Sequence, residues 1–359
     1  MNLFGGAYRN RRVLITGHTG FKGSWLALWL TNLGARMTGV ALPPSTTPSH
    51  WNLLGLAMAD RRLDIRASAD LAALVAEGQP EIVFHLAAQP LVRRSYRDPL
   101  ETWSTNVMGT VNLLDACRHA RSLRAIVVVT SDKCYENREW ERGYREADQL
   151  GGHDPYSASK AATELVAASY RGAFFGARDA PLIATARAGN VIGGGDWSED
   201  RLIPDLVQAI ASGTNLEIRS PAATRPWQHV LESLGGYLLL GARMLEGDRR
   251  CAQAWNFGSV PEDNCTVADV LARMRGFWPD LAWHVTEQAQ PHEAHLLQLD
   301  SSKARKVLEW RPVWPLDTAL EATVRWYRAF LETGRVESRS QLTDYVASAR
   351  AAGLRWSLE

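Results

Sequence analysis

Short apolar runs alternate with segments of helical apolar spacing through the first half of the chain. Val13-Leu14-Ile15-Thr16-Gly17 reads as a buried strand ending in glycine, followed by a helix over residues 20–33 that Gly34 stops. Residues 36–42 predict a second strand, halted by Pro43-Pro44 and a Pro/Ser/Thr loop running to Ser49. A helix over 70–77, a strand over 81–87, a longer helix over about 99–119 and a β-branched strand over 125–130 follow. Another helix begins near Tyr156, and 182–186 read as a further strand. Repeated strand–helix–strand order predicts an α/β fold: a doubly wound, Rossmann-type parallel sheet with helices on both faces. Ligands of such sheets bind beyond the C-terminal strand ends, near the switch point, and candidate chemistry is sought there.

After about Ala188 the alternation loosens. Gly193-Gly194-Gly195-Asp196 and the prolines at 221, 226, 261, 279, 291 and 312 punctuate shorter elements, and the tail over 317–354 returns to helical spacing. This pattern divides the chain into a Rossmann-type domain over 1–187 and a smaller mixed α/β lobe over 188–359, some of whose segments return to the first domain.

Composition narrows the partners. The formal net charge is +1, which gives no electrostatic reason to expect nucleic acid or an anionic membrane. No apolar run is long enough to span a bilayer, and the first ten residues lack the apolar stretch of a signal peptide. Cys117, Cys134, Cys251 and Cys265 are scattered without a CxxC pair, as expected of reduced thiols in a cytoplasmic protein without structural zinc. Of the 40 basic residues only Lys22, Lys133, Lys160, Lys303 and Lys306 are lysines. Arg cannot give up its proton, so each lysine raises the question of what Arg could not do there.

Gly17-His18-Thr19-Gly20-Phe21-Lys22-Gly23 joins the first strand to the first helix with GxxGxxG spacing. Glycines there let a pyrophosphate approach a helix N-terminus, whose free N–H groups and dipole favour anions. The second strand ends Val40-Ala41-Leu42-Pro43, with neither an acid for a ribose 2′-hydroxyl nor an Arg for a 2′-phosphate. Spacing alone therefore leaves NAD and NADP open, with Asp64-Ile65 the candidate adenine contact. Tyr156 and Lys160 stand four apart at a helix start and share one face. An ammonium beside a phenol favours the phenolate, so Tyr156 is a candidate base toward a sugar hydroxyl. Thr130-Ser131-Asp132-Lys133 ends a predicted strand: Ser131 can bond a substrate hydroxyl, Asp132 can act as an acid, and Lys133 as a base once desolvated. Asn106, a poor helix former inside a predicted helix, is a candidate for positioning a water or carbonyl near the lysine.

The glycine loop, His85-Leu86-Ala87-Ala88-Gln89, Asn106 and the Tyr156–Lys160 pair together resemble the extended short-chain dehydrogenases/reductases, over most of the chain. Ser131-Asp132-Lys133 resembles the Thr-Asp-Glu tract of the nucleotide-sugar 4,6-dehydratases. The tracts Gly17–Trp25, Thr130–Tyr135 and Arg225–Val230 are similar to those of the CDP-glucose-specific branch. The resemblance implies tightly held NAD, contacted by Gly17, Thr19, Gly20, Phe21, Lys22, Gly23, Asp64, Ile65, Leu86, Ala87, Ala88, Gln89, Asn106, Tyr156 and Lys160. It also implies a nucleotide-sugar substrate, CDP-glucose favoured, with Asn190, Arg201, Arg225, His229 and Glu293 on the nucleotide side. The implied reaction is an internal redox cycle: oxidation at C4, loss of water across C5 and C6, and reduction at C6. Lys133 stands where related enzymes place Glu as the C5 base. A homodimer through the helices carrying Trp103 and Ala162 is implied as well. A nucleotide-sugar 4-epimerase or a non-enzymatic NAD(H) sensor would share the Tyr/Lys pair or the fold, but neither needs Asp132 and Lys133. His292-Glu293-Ala294-His295 lacks the spacing of a zinc helix, and no metal is expected.

Overall fold

The computed structural model describes residues 3–286 and 296–358. Its first half supplies strands β1 (Arg12–Thr16), β2 (Arg36–Ala41), β3 (Ala59–Arg62), β4 (Ile82–His85), β5 (Ala125–Val129) and β6 (Leu182–Ala188). Strands β7 (Asn190–Ile192), β8 (Leu216–Ile218), β9 (Thr224–His229), β10 (Ala254–Phe257), β11 (Asn264–Thr266) and β12 (Trp283–Val285) follow. The main sheet is seven-stranded, in the order β10-β6-β5-β4-β1-β2-β3. Every pairing in it is parallel. β1 lies between β2 and β4, so the chain reverses its winding there and opens a crevice at their C-terminal ends. A sheet β11-β9-β7 and a pair β12-β8 stand apart from it.

The apolar runs form the sheet centre because a parallel sheet covered on both faces is buried throughout. β4 and β5 are buried at every residue. Two strands escape the apolar pattern. β3, Ala-Asp-Arg-Arg, is a mostly exposed edge strand without an apolar signature. β10 comes from the second half of the chain and returns to the sheet beside β6, with Asn256 opposite Arg187.

The opening helix, Phe21–Asn32, is buried from Gly23 to Leu30. A helix apolar all round has to be covered on every side, and here the sheet lies on one side and the C-terminal helices, Leu316–Thr333 and Ser338–Ala351, on the other. Trp25 and Trp29 of the first, with Trp326 and Tyr345 of the others, share one continuous core. A second core, around Leu14, Val83, Leu113, Leu114, Ile126 and Val128, fills the opposite face of the sheet. The long helix predicted over 99–119 is not regular: Pro99–Trp103 and Gly109–Cys117 are α-helical, and a wider π-helical turn, Ser104–Met108, separates them. Such turns re-aim one side chain, commonly at functional sites, and Asn106 stands at the middle of this one. Among the described residues no helix is long and apolar enough to cross a membrane.

Candidate active site

A cavity of about 1170 Å³ opens at the C-terminal end of the sheet. Thr130 to Lys133 and Tyr156 line one wall, Gly189 to Gly193, Arg201 and Arg225 the other, and Lys22 reaches in from the glycine loop.

The loop geometry explains its glycines. Gly17 has φ +79°, and a Cβ there would lie 2.6 Å from the Ala87 nitrogen. A Cβ at Gly23 would lie 2.1 Å from the Gly17 carbonyl oxygen, so the helix can pack on the loop only without a side chain. Gly20 caps the helix with no side-chain hydrogen bond, leaving the first-turn amides to an external acceptor. Leu86 and Ala87 leave β4 against this turn, donating their N–H groups to the Thr16 carbonyl (3.0 Å) and to Thr16 Oγ1 (3.2 Å). Thr19 Oγ1 donates to the Leu42 carbonyl at 3.0 Å, and the Phe21 ring abuts Gly193. The His18 ring fills the space over Gly39 and lies 3.0 Å from Asp60. This cradle fits a dinucleotide diphosphate.

Tyr156 follows Asp154-Pro155, where Asp154 caps the helix Pro155–Ala173 by accepting the Ser157 N–H at 2.9 Å. Lys160 lies one turn on, its Nζ 6.0 Å from the Tyr156 ring centroid and 3.5 Å from the Val129 carbonyl it donates to. The expected depression of the phenol does not occur in the protein by itself. Burial pushes Tyr156 up to about 12, against the pull of a Ser131 hydrogen bond and Arg201. Burial also brings Lys160 down to about 8. Lys22 falls further, to about 7, through burial and repulsion from Arg201 and Lys160, with Asp132 opposing. Repulsion among the scarce lysines therefore reaches Lys22.

Ser131 caps the short turn Asp132–Cys134: its Oγ accepts the Lys133 N–H at 3.2 Å and donates to Asp132 Oδ1 at 2.8 Å. Asp132 is buried against Gly189, where a Cβ would lie 3.1 Å from its carboxylate, while Lys133 is half-buried on the cavity wall. Asp132, Lys133 and Tyr156 thus face one space.

Asn106 is buried, and its side chain is committed to the protein. Nδ2 donates to the Gln89 carbonyl (3.1 Å) and Ser159 Oγ (2.8 Å), and Oδ1 accepts the Gln89 N–H (2.8 Å). With both donors spent, it clamps the loop after β4 to the Tyr156 helix and has no N–H left to hold a water. Gln89 extends the clamp to Thr102 Oγ1 at 2.8 Å.

Residue spacing could have revealed one further member of the site. Glu164 continues the four-residue repeat of Tyr156 and Lys160 and forms a buried pair with Arg187, Nη2 to Oε2 at 2.8 Å. Burial would raise Glu164; Arg187 and the hydroxyls of Thr130 and Thr185 override it and hold the carboxyl below its ordinary range. Arg187 is also bonded to the Tyr135 hydroxyl at 2.6 Å, so it braces β5, β6 and the Tyr156 helix and does not reach for substrate. Arg187→Met should leave Glu164 charged and unpaired and lower stability by about 3–5 kcal/mol, read from the midpoint of urea unfolding.

The remaining expected residues are placed unevenly. Asn190, Arg201 and Arg225 line the cavity, Arg201 paired with Asp196 at 2.9 Å. His229 does not. It is buried between Trp25 and Trp314, where its Nδ1 caps the helix Val230–Leu245 by accepting the Leu231 N–H, and burial lowers it to about 3. Asp64 is bound by Arg66 at 2.6 Å, and the buried Ile65 packs on Gly109. Glu293, with His292 and His295, lies outside the described residues. No cluster of metal ligands occurs among the described residues, and the four cysteines are buried free thiols.

Comparison with known proteins agrees with this geometry. The family model described as GDP-mannose 4,6 dehydratase matches residues 14–323. CDP-glucose 4,6-dehydratase of Salmonella typhimurium is 46% identical over 350 residues, covering 95% of this chain and 98% of that one. Among solved structures, epimerase Mth375 of Methanothermobacter thermautotrophicus superposes with a TM-score of 0.82 at 23% identity, covering 92% of this chain and 95% of that one. The dTDP-glucose 4,6-dehydratase DesIV of Streptomyces venezuelae, solved with NAD bound, superposes with a TM-score of 0.75 at 24% identity, covering 88% and 97%. At these identities the structural likenesses establish the fold.

Proposed function

The chain belongs to the GDP-mannose 4,6 dehydratase family, and from that membership we propose that it is a lyase converting CDP-D-glucose to CDP-4-dehydro-6-deoxy-D-glucose with NAD as resident cofactor. One observation carries the reading: an acid, a lysine and a phenol, Asp132, Lys133 and Tyr156, line the same cavity beside the dinucleotide cradle. The 46% identity to a CDP-glucose 4,6-dehydratase supports the choice of nucleotide.

The cradle of Gly17, Gly20 and Gly23 and the uncapped helix behind it would hold the diphosphate of NAD. When bound, NAD supplies an acceptor for the C4 hydride, a store from which it returns to C6, and positive charge beside the phenol. The chain's own residues manage the protons. Tyr156 takes the proton of the sugar 4-hydroxyl as a phenolate, and Ser131 orients that hydroxyl. The resulting 4-ketone acidifies C5–H. Lys133, as a neutral amine, takes the C5 proton; the electron pair forms the C5–C6 double bond, and the 6-hydroxyl leaves as water with a proton from Asp132. Lys133 then returns its proton to C5, the carbonyl remains at C4, and the proton held by Tyr156 passes out through solvent while Asp132 takes one back, which resets both groups. The reduced, buried thiols suit a cytoplasmic enzyme.

Incubation with CDP-, dTDP-, UDP- and GDP-glucose in the presence of NAD tests the reading by mass. Loss of one water from CDP-glucose is expected; a product of unchanged mass would indicate epimerisation instead.

The proposal extends to a homodimer. Leu100 is 80% and Leu165 61% exposed, and Trp103 and Met108 are open beside them, on the two helices named from the sequence. An apolar face of this kind is a contact surface. Leu100→Arg with Leu165→Arg should reduce the mass by light scattering from twice the chain's 39.8 kDa to that value; an unchanged mass contradicts the assignment.

A further inference from the structure

The order of charged groups along the cavity assigns a place to each part of a nucleotide sugar. Tyr156 senses Arg201, and Arg201 senses Tyr156. Arg201 stands at the N-cap of the helix Leu202–Ala211, and Asp205 lies in that helix's first turn. The strongest charges on Asp205 come from Asp200, Arg219 and Arg93, and all four residues line the cavity, with Asp205 one helical turn beyond Arg201. With the hexose at Tyr156 and its diphosphate at Arg201, the nucleoside has to lie beyond, where Asp205, Arg219 and β8 line the cavity. Leu202 and Asp205, three residues apart, share one helix face. Leu202, Ile218 and Val267 give this end apolar walls suited to a flat ring.

We infer that Asp205 reads the base, its carboxylate accepting a hydrogen bond from the 4-amino group of cytosine. The inference rests on the nucleotide-sugar reading above and deepens it. Asp205 is half-buried, and its carboxylate accepts the Asp200 N–H. The two nearby guanidiniums are drawn to Asp200, Arg93 at 3.3 Å and Arg219 at 3.5 Å. Burial and the Asp200 charge raise Asp205 to about 6, so this carboxylate is poorly solvated and gains from a neutral N–H donor. Cytosine presents an amino donor at C4, and a carboxylate is its natural acceptor. Uracil and thymine present O4 there, and two acceptors would then face each other at the cost of an unpaired buried group. Glu217, the neighbouring acid on β8, is exposed. A carboxylate in a first helical turn also complements the helix dipole, but that role cannot tell one base from another.

The test is a ratio, measured on the NAD-loaded enzyme and on Asp205→Asn, with Asp205→Ser as a second variant and circular dichroism to confirm folding. CDP and UDP are titrated by calorimetry, and kcat/KM is compared for CDP-glucose and UDP-glucose. The wild-type enzyme should prefer the cytosine ligands, and the variants should lower that preference about 10- to 100-fold. A folded variant that weakens both ligands equally, or neither, overturns the inference. If the wild-type enzyme fails to dehydrate CDP-glucose, the proposed function falls, while the CDP-to-UDP binding ratio still decides whether Asp205 reads the base.

Discussion

Lys133→Met should lower the rate of dehydration by about 10²- to 10⁴-fold, the usual span for a positioned acid–base group. Methionine keeps the length and apolar stem of the lysine and removes the amine. The loss should fall on one step. CDP-glucose with the variant should still reduce the nicotinamide, because C4 oxidation uses Tyr156, and the reduced cofactor should then accumulate without loss of water. Wash-in of deuterium at C5 from heavy water is the direct readout. A variant that exchanges the C5 proton at an undiminished rate would show that Lys133 is not the base. Its half-buried place on the cavity wall, next to the Ser131–Asp132 hydrogen bond of 2.8 Å, argues that it is.

Tyr156→Phe should cost as much or more, about 10³- to 10⁴-fold in kcat, and should block nicotinamide reduction itself. The phenol sits near 12 in the protein alone, so ionising it at pH 7 costs about 7 kcal/mol. Lys160 and the bound nicotinamide have to offset that cost, and a phenyl ring leaves nothing to ionise. The sign of the pH dependence follows. The phenolate fraction grows as pH rises, so the rate of C4 oxidation should increase through neutrality. Lys160 loses its proton as pH passes about 8, which withdraws the charge that favours the phenolate, so the rise should flatten there. Single-turnover nicotinamide reduction across this range measures both limbs, and a pH-independent rate in the wild type would contradict the role of Tyr156.

The centre of the fold was legible because buried parallel strands announce themselves as short apolar runs, as β1, β4, β5 and β6 all do, with β1 and β6 ending at a glycine. The edges were not. β3 is an exposed Ala-Asp-Arg-Arg strand held by backbone pairing to β2, and β10 joins the sheet from far along the chain. Neither local pattern nor spacing encodes such long-range pairing. In the site, the glycine loop, Tyr156 with Lys160, and the Ser131–Lys133 tract were legible from residue type and position. Asn106 was visible as an oddity in a helix, but its role as a clamp between Gln89 and Ser159 depends on a π-helical turn that propensity does not predict. His229 was chosen for its chemistry, yet its ring is spent on capping a helix between two tryptophans. The elevated phenol of Tyr156 has the same origin: proximity of Lys160 could be read from spacing, whereas burial, the larger effect, could not. Glu164 was within reach, since 156, 160 and 164 fall on one face.

CDP-glucose carrying deuterium at C4, converted with NAD in ordinary water and analysed by mass and NMR, tests the central claim most directly. The product should weigh one water less than the substrate and carry the deuterium at C6, delivered within the same molecule. Deuterium retained at C4 in a product of unchanged mass would contradict the dehydratase assignment and leave an epimerase in its place.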